Sequence, residues 1–181
     1  MPRRTHEPGP DLDRSVPVLI VKIGRYPLHH GGVAAIRSLG RLGVPTYAVV
    51  EDRFTPAAVS RYLTGRFVWP TSGEEDPDRL VAGLVEIGRR IGRPFVALPT
   101  DDEAAVLLAE HAGDLGPHFL LSDVTPALPR ALADKHGLAG ICRAHGVAAP
   151  ASALPSSVDE LVAGAEEIGY PVVVKNAGSW G

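Results

Sequence analysis

Two lysines, Lys135 and Lys175, have the type and placing that point most directly to chemistry. Lys135 follows Asp134 at an expected helix start. Lys175 closes the run Val172-Val173-Val174 and precedes Asn176-Ala177-Gly178-Ser179-Trp180-Gly181. A polyphosphate needs compact positive charge and backbone N–H groups that can come close. A strand-end ammonium supplies the first, and glycines permit the second. Either lysine alone reads as a surface charge beside an ordinary turn; the joint pattern is what singles the pair out. The chain has fifteen Arg, and its only lysines are Lys22, Lys135 and Lys175. Where Arg is the default cation each Lys invites a look, because an ammonium meets phosphate as a point charge and a guanidinium as a planar fork.

The elements that must position these residues follow from periodicity. Residues 16–23 form a continuous β-rich run around Lys22, as expected of a strand buried on both faces. Val33, Ile36, Leu39 and Leu42 share one side of a predicted helix over 33–42, with Gly43 as its stop. The pattern then predicts a strand over 44–50, a short helix over 55–63 and a strand over 66–69. A helix over 77–91 carries Leu80, Leu84, Ile87 and Ile91, and a strand over 94–98 follows. Asp101 and Asp102 open another helix, where acids suit the positive end of the dipole, and 119–121 is a last strand. Strands alternating with helices argue an α/β fold with a parallel sheet, whose ligands bind at the carboxyl ends of the strands. After Asp123 the pattern changes. Residues 125–146 are mostly helical, Ser157-Val158-Asp159-Glu160 has capping-box spacing for a helix to Ile168, and 170–175 reads as a strand. The expected organisation is a disordered tail over 1–15, an α/β domain over 16–123 and a second, incomplete domain over 124–181.

The order Asp134-Lys135, then Gly146-Val147-Ala148-Ala149-Pro150, then a helix, then Gly169-Tyr170-Pro171-Val172-Val173-Val174-Lys175 resembles the ATP-grasp superfamily. Arg37-Ser38-Leu39-Gly40 and Ser60-Arg61-Tyr62 look like its carboxylate–amine ligase branch, which includes D-aspartate ligases. The resemblance implies a pre-ATP-grasp α/β domain followed by the start of an α+β ATP-grasp domain. It implies a reaction in which ATP phosphorylates a carboxylate and an amine attacks the acylphosphate. Carried over, Lys135 and Lys175 contact the nucleotide, and Gly178, Ser179 and Gly181 start a loop that closes over its phosphates. Mg2+ is implied as well. The family's acidic metal ligands lie beyond the strand lysine, so no metal ligand and no catalytic residue are assigned, and the expectation is a truncated chain without ligase activity of its own. Asn176 stands where relatives often carry proline.

Composition narrows the alternatives. The net charge is −3 with no basic stripe, which argues against a nucleic-acid partner. No apolar run is long enough for a membrane span, and the single Cys142 fits a reducing compartment, so a cytoplasmic location is expected. Oligomeric state and the identities of the small carboxylate and amine are not readable. The loop 24–32 could hold an anion or be a tight turn, and Asp101, Asp102 and Glu103 could face a substrate amine or simply start a helix. Glu51-Asp52 has the place of a ribose-binding acid, but Gly24, Gly31 and Gly32 do not make G-x-G-x-x-G. His29 and His30 read as loop histidines, and Cys142 as a packed thiol. The competing functions are a non-catalytic nucleotide- or small-metabolite-binding module and, behind it, a dinucleotide oxidoreductase.

Overall fold

A strand whose successive side chains must all be buried needs cover on both faces, and β1 (Val18–Val21) receives it. Leu19 and Val21 enter one apolar cluster with Leu84, Phe95 and Phe119. Val18 and Ile20 enter another with Ile36, Val44 and Ala48. The computed structural model describes residues 12–26 and 29–175, with the side chain of His136 left aside.

The chain divides into two compact units, Met1–Ser122 and Asp123–Gly181. In the first, α1 (His30–Arg41), β2 (Thr46–Val50), β3 (Gly65–Val68), α2 (Pro77–Ile91), β4 (Phe95–Pro99), α3 (Asp102–Glu110) and β5 (Phe119–Leu120) follow β1. The fold is α/β, with five parallel strands in the order β3-β2-β1-β4-β5. Val18 pairs with both Thr46 and Val96, which makes β1 the central strand and brings the carboxyl ends of β1, β2 and β4 together. α2 begins where Asp76 caps it and Pro77 presets its first turn, and it stops at Gly92 with φ +72°. Its buried residues Leu80, Leu84 and Ile87 each contribute about 1.5–3 kcal/mol of burial.

The expected helix over 55–63 is not formed. Val59 N–H reaches Thr55 O once in helical fashion, but Ser60 and Leu63 N–H bond to Ala57 and Ser60 carbonyls three residues back. Thr55 Oγ1 also takes the Ala58 N–H, and Phe54 and Val59 stay exposed. Ala57, Ala58, Tyr62 and Leu63 still pack on the core, and successive turns rather than a helix bring them there.

The second unit holds α4 (Leu128–Ala133), α5 (Lys135–Ala144) and α6 (Val158–Ile168). Asp134 caps α5 by accepting the Gly137 N–H at 2.6 Å. Ser157 accepts the Glu160 N–H, while Glu160 reaches back to Ser156 N and Oγ at 2.8 and 2.7 Å, one residue earlier than an ideal capping box. The expected strand over 170–175 is not formed among the described residues, where Val173 and Val174 are 80% and 65% exposed. A β-branched run becomes a strand only with a ladder partner, and none pairs with it here. Cys142 is a half-buried free thiol rather than a fully packed one.

Candidate functional site

Parallel strands in register end side by side, so the residue after β1 meets the residue after β2. Lys22 Nζ lies 2.5 Å from Glu51 Oε1 and donates to the Gly24 carbonyl at 2.5 Å. The Glu51 contact is one of charge rather than an aligned hydrogen bond. Lys22 is 5% exposed, and a charge so far from water is stable only when paired.

The end of β4 builds the other side of this edge. Asp101 caps α3 by accepting the Ala104 N–H on Oδ1 at 2.8 Å. Its Oδ2 accepts the N–H groups of Ile23 and Gly24, both at 2.9 Å, and so ties α3 to the loop after β1. Thr71 Oγ1 donates to the Ile23 carbonyl at 2.7 Å. Asp101 is therefore fully engaged by backbone, which leaves Glu103 as the buried acid of this helix start. Tyr26 donates its hydroxyl to Glu103 Oε1 at 3.1 Å, and Glu103 Oε2 is buried without a partner. Burial first, then the carboxylates of Glu103, Asp101 and Asp102, hold the Tyr26 hydroxyl above its ordinary pKa.

His29 caps α1. Its Nδ1 accepts the Gly32 N–H at 3.3 Å, so Nε2 carries the proton and donates to the Thr100 carbonyl at 2.7 Å. This histidine is a neutral structural clasp rather than a loose loop residue. Lys22, His29, His30, Gly32, Val33, Glu51 and Thr55 are among the residues lining a cleft of about 50 Å³. That volume is several-fold below the ~300 Å³ at which drug-sized ligands fit.

A Cβ on Gly40 would lie 2.6 Å from Tyr62 Cβ, so the 37–40 and 60–62 segments meet in close contact. Arg61 projects outward and donates to Tyr62 Oη at 2.9 Å.

In the second unit Lys135 is the first residue of α5, and its neighbour Asp134 is spent on the cap. Lys175 is exposed at the end of the described residues. Gly178, Ser179 and Gly181 lie outside the described residues. Gly146, with φ +65°, turns the chain out of α5 toward Pro150. Among the described residues no three His, Cys, Asp or Glu gather in a way that could hold a metal ion. No helix among them is long and apolar enough to cross a membrane.

Sequence reasoning noticed Lys22 and Glu51 separately but did not join them. The available signal was that Lys22 lies near the end of one predicted strand and Glu51 directly follows the next, which in a parallel sheet makes them neighbours.

No protein-family model matches the chain, and no curated protein matches it. Among solved structures it is similar to the biotin carboxylase domain of the Hydrogenobacter thermophilus 2-oxoglutarate carboxylase, crystallised with MgADP, ADP and bicarbonate. That likeness has 19% identity, a TM-score of 0.47 and coverage of 85% of this chain and 33% of the other. The biotin carboxylase subunit of a pyruvate carboxylase matches at 18% identity and TM-score 0.46, over 85% of this chain and 33% of that one. A thermophilic 2-oxoglutarate carboxylase domain bound to bicarbonate matches at 20% identity and TM-score 0.46, over 87% of this chain and 34% of that one. The chain thus spans about a third of the length of these proteins. At such identities and scores the likeness assigns neither substrate nor site.

Proposed function

We propose that this chain is the nucleotide-contacting portion of an ATP-dependent carboxylate–amine ligase that works through an acylphosphate. The observation that carries the reading is the ordered set Asp134-Lys135, Gly146–Pro150 and Gly169–Lys175 following an α/β unit. Residues 16–123 then serve as the pre-ATP-grasp domain and 124–181 as the start of the ATP-grasp domain. Lys135 and Lys175 hold the phosphates as point charges, and Gly178, Ser179 and Gly181 begin the covering loop. Neutralising phosphate charge and positioning it are the main protein contributions to phosphoryl transfer. Among the described residues no three His, Cys, Asp or Glu gather, so no magnesium ligand and no step through the metal are assigned.

The test is MgATP binding by calorimetry on the 181-residue chain. Lys135→Ala and Lys175→Ala each weaken binding roughly tenfold, the scale of one charge-assisted contact. The chain alone gives no carboxylate-dependent release of ADP; clear turnover would refute that part of the proposal.

A second reading, a non-catalytic small-metabolite-binding module, draws on the cleft beside Lys22 and Glu51. Small-metabolite binding that ignores both unit-2 lysines but vanishes in Lys22→Ala would favour it.

A further inference from the structure

A buried polar atom without a partner is uncommon in a folded protein and calls for a physical account. Apart from Glu51 Oε1, which faces the Lys22 ammonium, Glu103 Oε2 is the one such side-chain atom among the described residues. Glu103 is 7% exposed. Its carboxyl group sits in a cage of Gly24, Gly73 and Tyr26. A Cβ at Gly24 would lie 2.7 Å from the Glu103 carboxyl carbon, and one at Gly73 would lie 3.1 Å from its Cγ. Gly73 also has φ +91°, a conformation that L side chains rarely adopt. Two glycines thus let the backbone close on this one acid, and Tyr26, 42% exposed, forms the cage's outer wall.

We infer that Glu103 and Tyr26 form a subsite for the primary ammonium group of a small substrate. The missing partner of Oε2 must be a donor. The nearby cation Lys22 is already spent on Glu51 and the Gly24 carbonyl. Asp101 and Asp102 add negative field at the same helix start, and a cationic ligand is drawn to such a field. A metal ion is a poorer match, since hard cations take six or more oxygens and no three ligating groups gather here. An ammonium is compact and donates in three directions, so it can bond Glu103 Oε2 and the Tyr26 hydroxyl oxygen together. Oε2 is out of water in this conformation, so ligand entry requires the Tyr26 side chain to shift while it remains part of the subsite.

In the ligase reading this group belongs to the amine-bearing substrate, and only that role rests on the ligase reading; the binding itself does not.

The test is an NMR titration of the full chain with methylammonium chloride, against sodium chloride and magnesium chloride at equal ionic strength. The expected result is a saturable shift of the Gly24, Tyr26 and Gly73 amides with methylammonium alone. Glu103→Gln weakens half-saturation roughly tenfold or more, and Tyr26→Phe, which keeps the ring and the fold, weakens it by roughly threefold. Three results would overturn the proposal: no saturation, an equal response to sodium or magnesium, or affinity unchanged in Tyr26→Phe together with Glu103→Gln or, if Glu103→Gln does not fold, Glu103→Asp. MgATP binding is measured in parallel. Methylammonium binding without MgATP binding sinks the ligase reading and keeps the subsite; the reverse outcome does the opposite.

Discussion

The two units carry local helix signals of similar quality and differ in what those helices bury. In Met1–Ser122, Leu19, Ile36, Leu84 and Phe95 are wholly removed from solvent. In Asp123–Gly181, Ala139 is the one buried apolar residue among those described, while Val158, Tyr170 and Val173 are more than 70% exposed. Yet Ser157 caps α6 as cleanly as Asp76 caps α2. A cap fixes where a helix begins; only burial makes a group of helices a stable domain, and units of this size bury proportionally little.

Removing core volume gives the largest expected contrast. Phe95→Ala or Leu84→Ala lowers unfolding free energy by about 3–5 kcal/mol. Leu138→Ala and Val162→Ala, at 40% and 48% exposure, cost under ~1 kcal/mol. Urea melts followed by Trp69 fluorescence and circular dichroism read both. Equal costs in the two units would erase the distinction.

The next contrast sets one capping acid against one capping hydroxyl. Asp101→Ala loses a cap and two loop contacts and costs about 2 kcal/mol, whereas Ser157→Ala costs about 1 kcal/mol or less. Amide exchange at Ile23 and Gly24 should quicken in Asp101→Ala. Unchanged protection there would mean that the loop is held by something else.

The smallest effect is on acid stability. Burial raises the Glu75 carboxyl, but N–H bonds from Ser72 and Gly73 outweigh it and hold the group below its ordinary pKa. Bonds from the Ser156 hydroxyl and N–H do the same for Glu160, which is fully exposed. For a lowered carboxylate, stability is fully present above the ordinary value and is lost as pH falls through the lowered one. Thermal melts from about pH 6 to pH 3 should therefore show a flatter acid limb in Glu75→Gln. Glu160→Gln should change it less, because solvent screens its contacts. The opposite ranking would contradict the assignment.

The sequence made much of this architecture legible, and the reasons are specific. α2 was readable to the residue because Pro77 and the leucine spacing lie within the element itself. The parallel sheet was readable because β1 has no polar alternation. The 170–175 expectation failed because propensity does not say whether a ladder partner exists, and the 55–63 expectation because Thr55 and three-residue turn bonds take the N–H groups that a helix would use. At the site, Asp101 was placed correctly at a helix start, but its bonds to Ile23 and Gly24, far away in the chain, depend on strand order. The Lys22–Glu51 pair and the caged Glu103 were illegible for the same reason. The proposed roles of Lys135 and Lys175 rest on spacing and resemblance alone.

The segment 170–175 has a practical consequence. Val173 and Val174, with high β propensity, face water without a ladder partner among the described residues, beside a half-buried Val172 and an exposed Tyr170. Such a stretch can recruit an identical stretch from another molecule into a shared sheet. Concentration thus becomes a variable to control for this chain, and sedimentation over a dilution series checks whether Val172-Val173-Val174 seeds self-association.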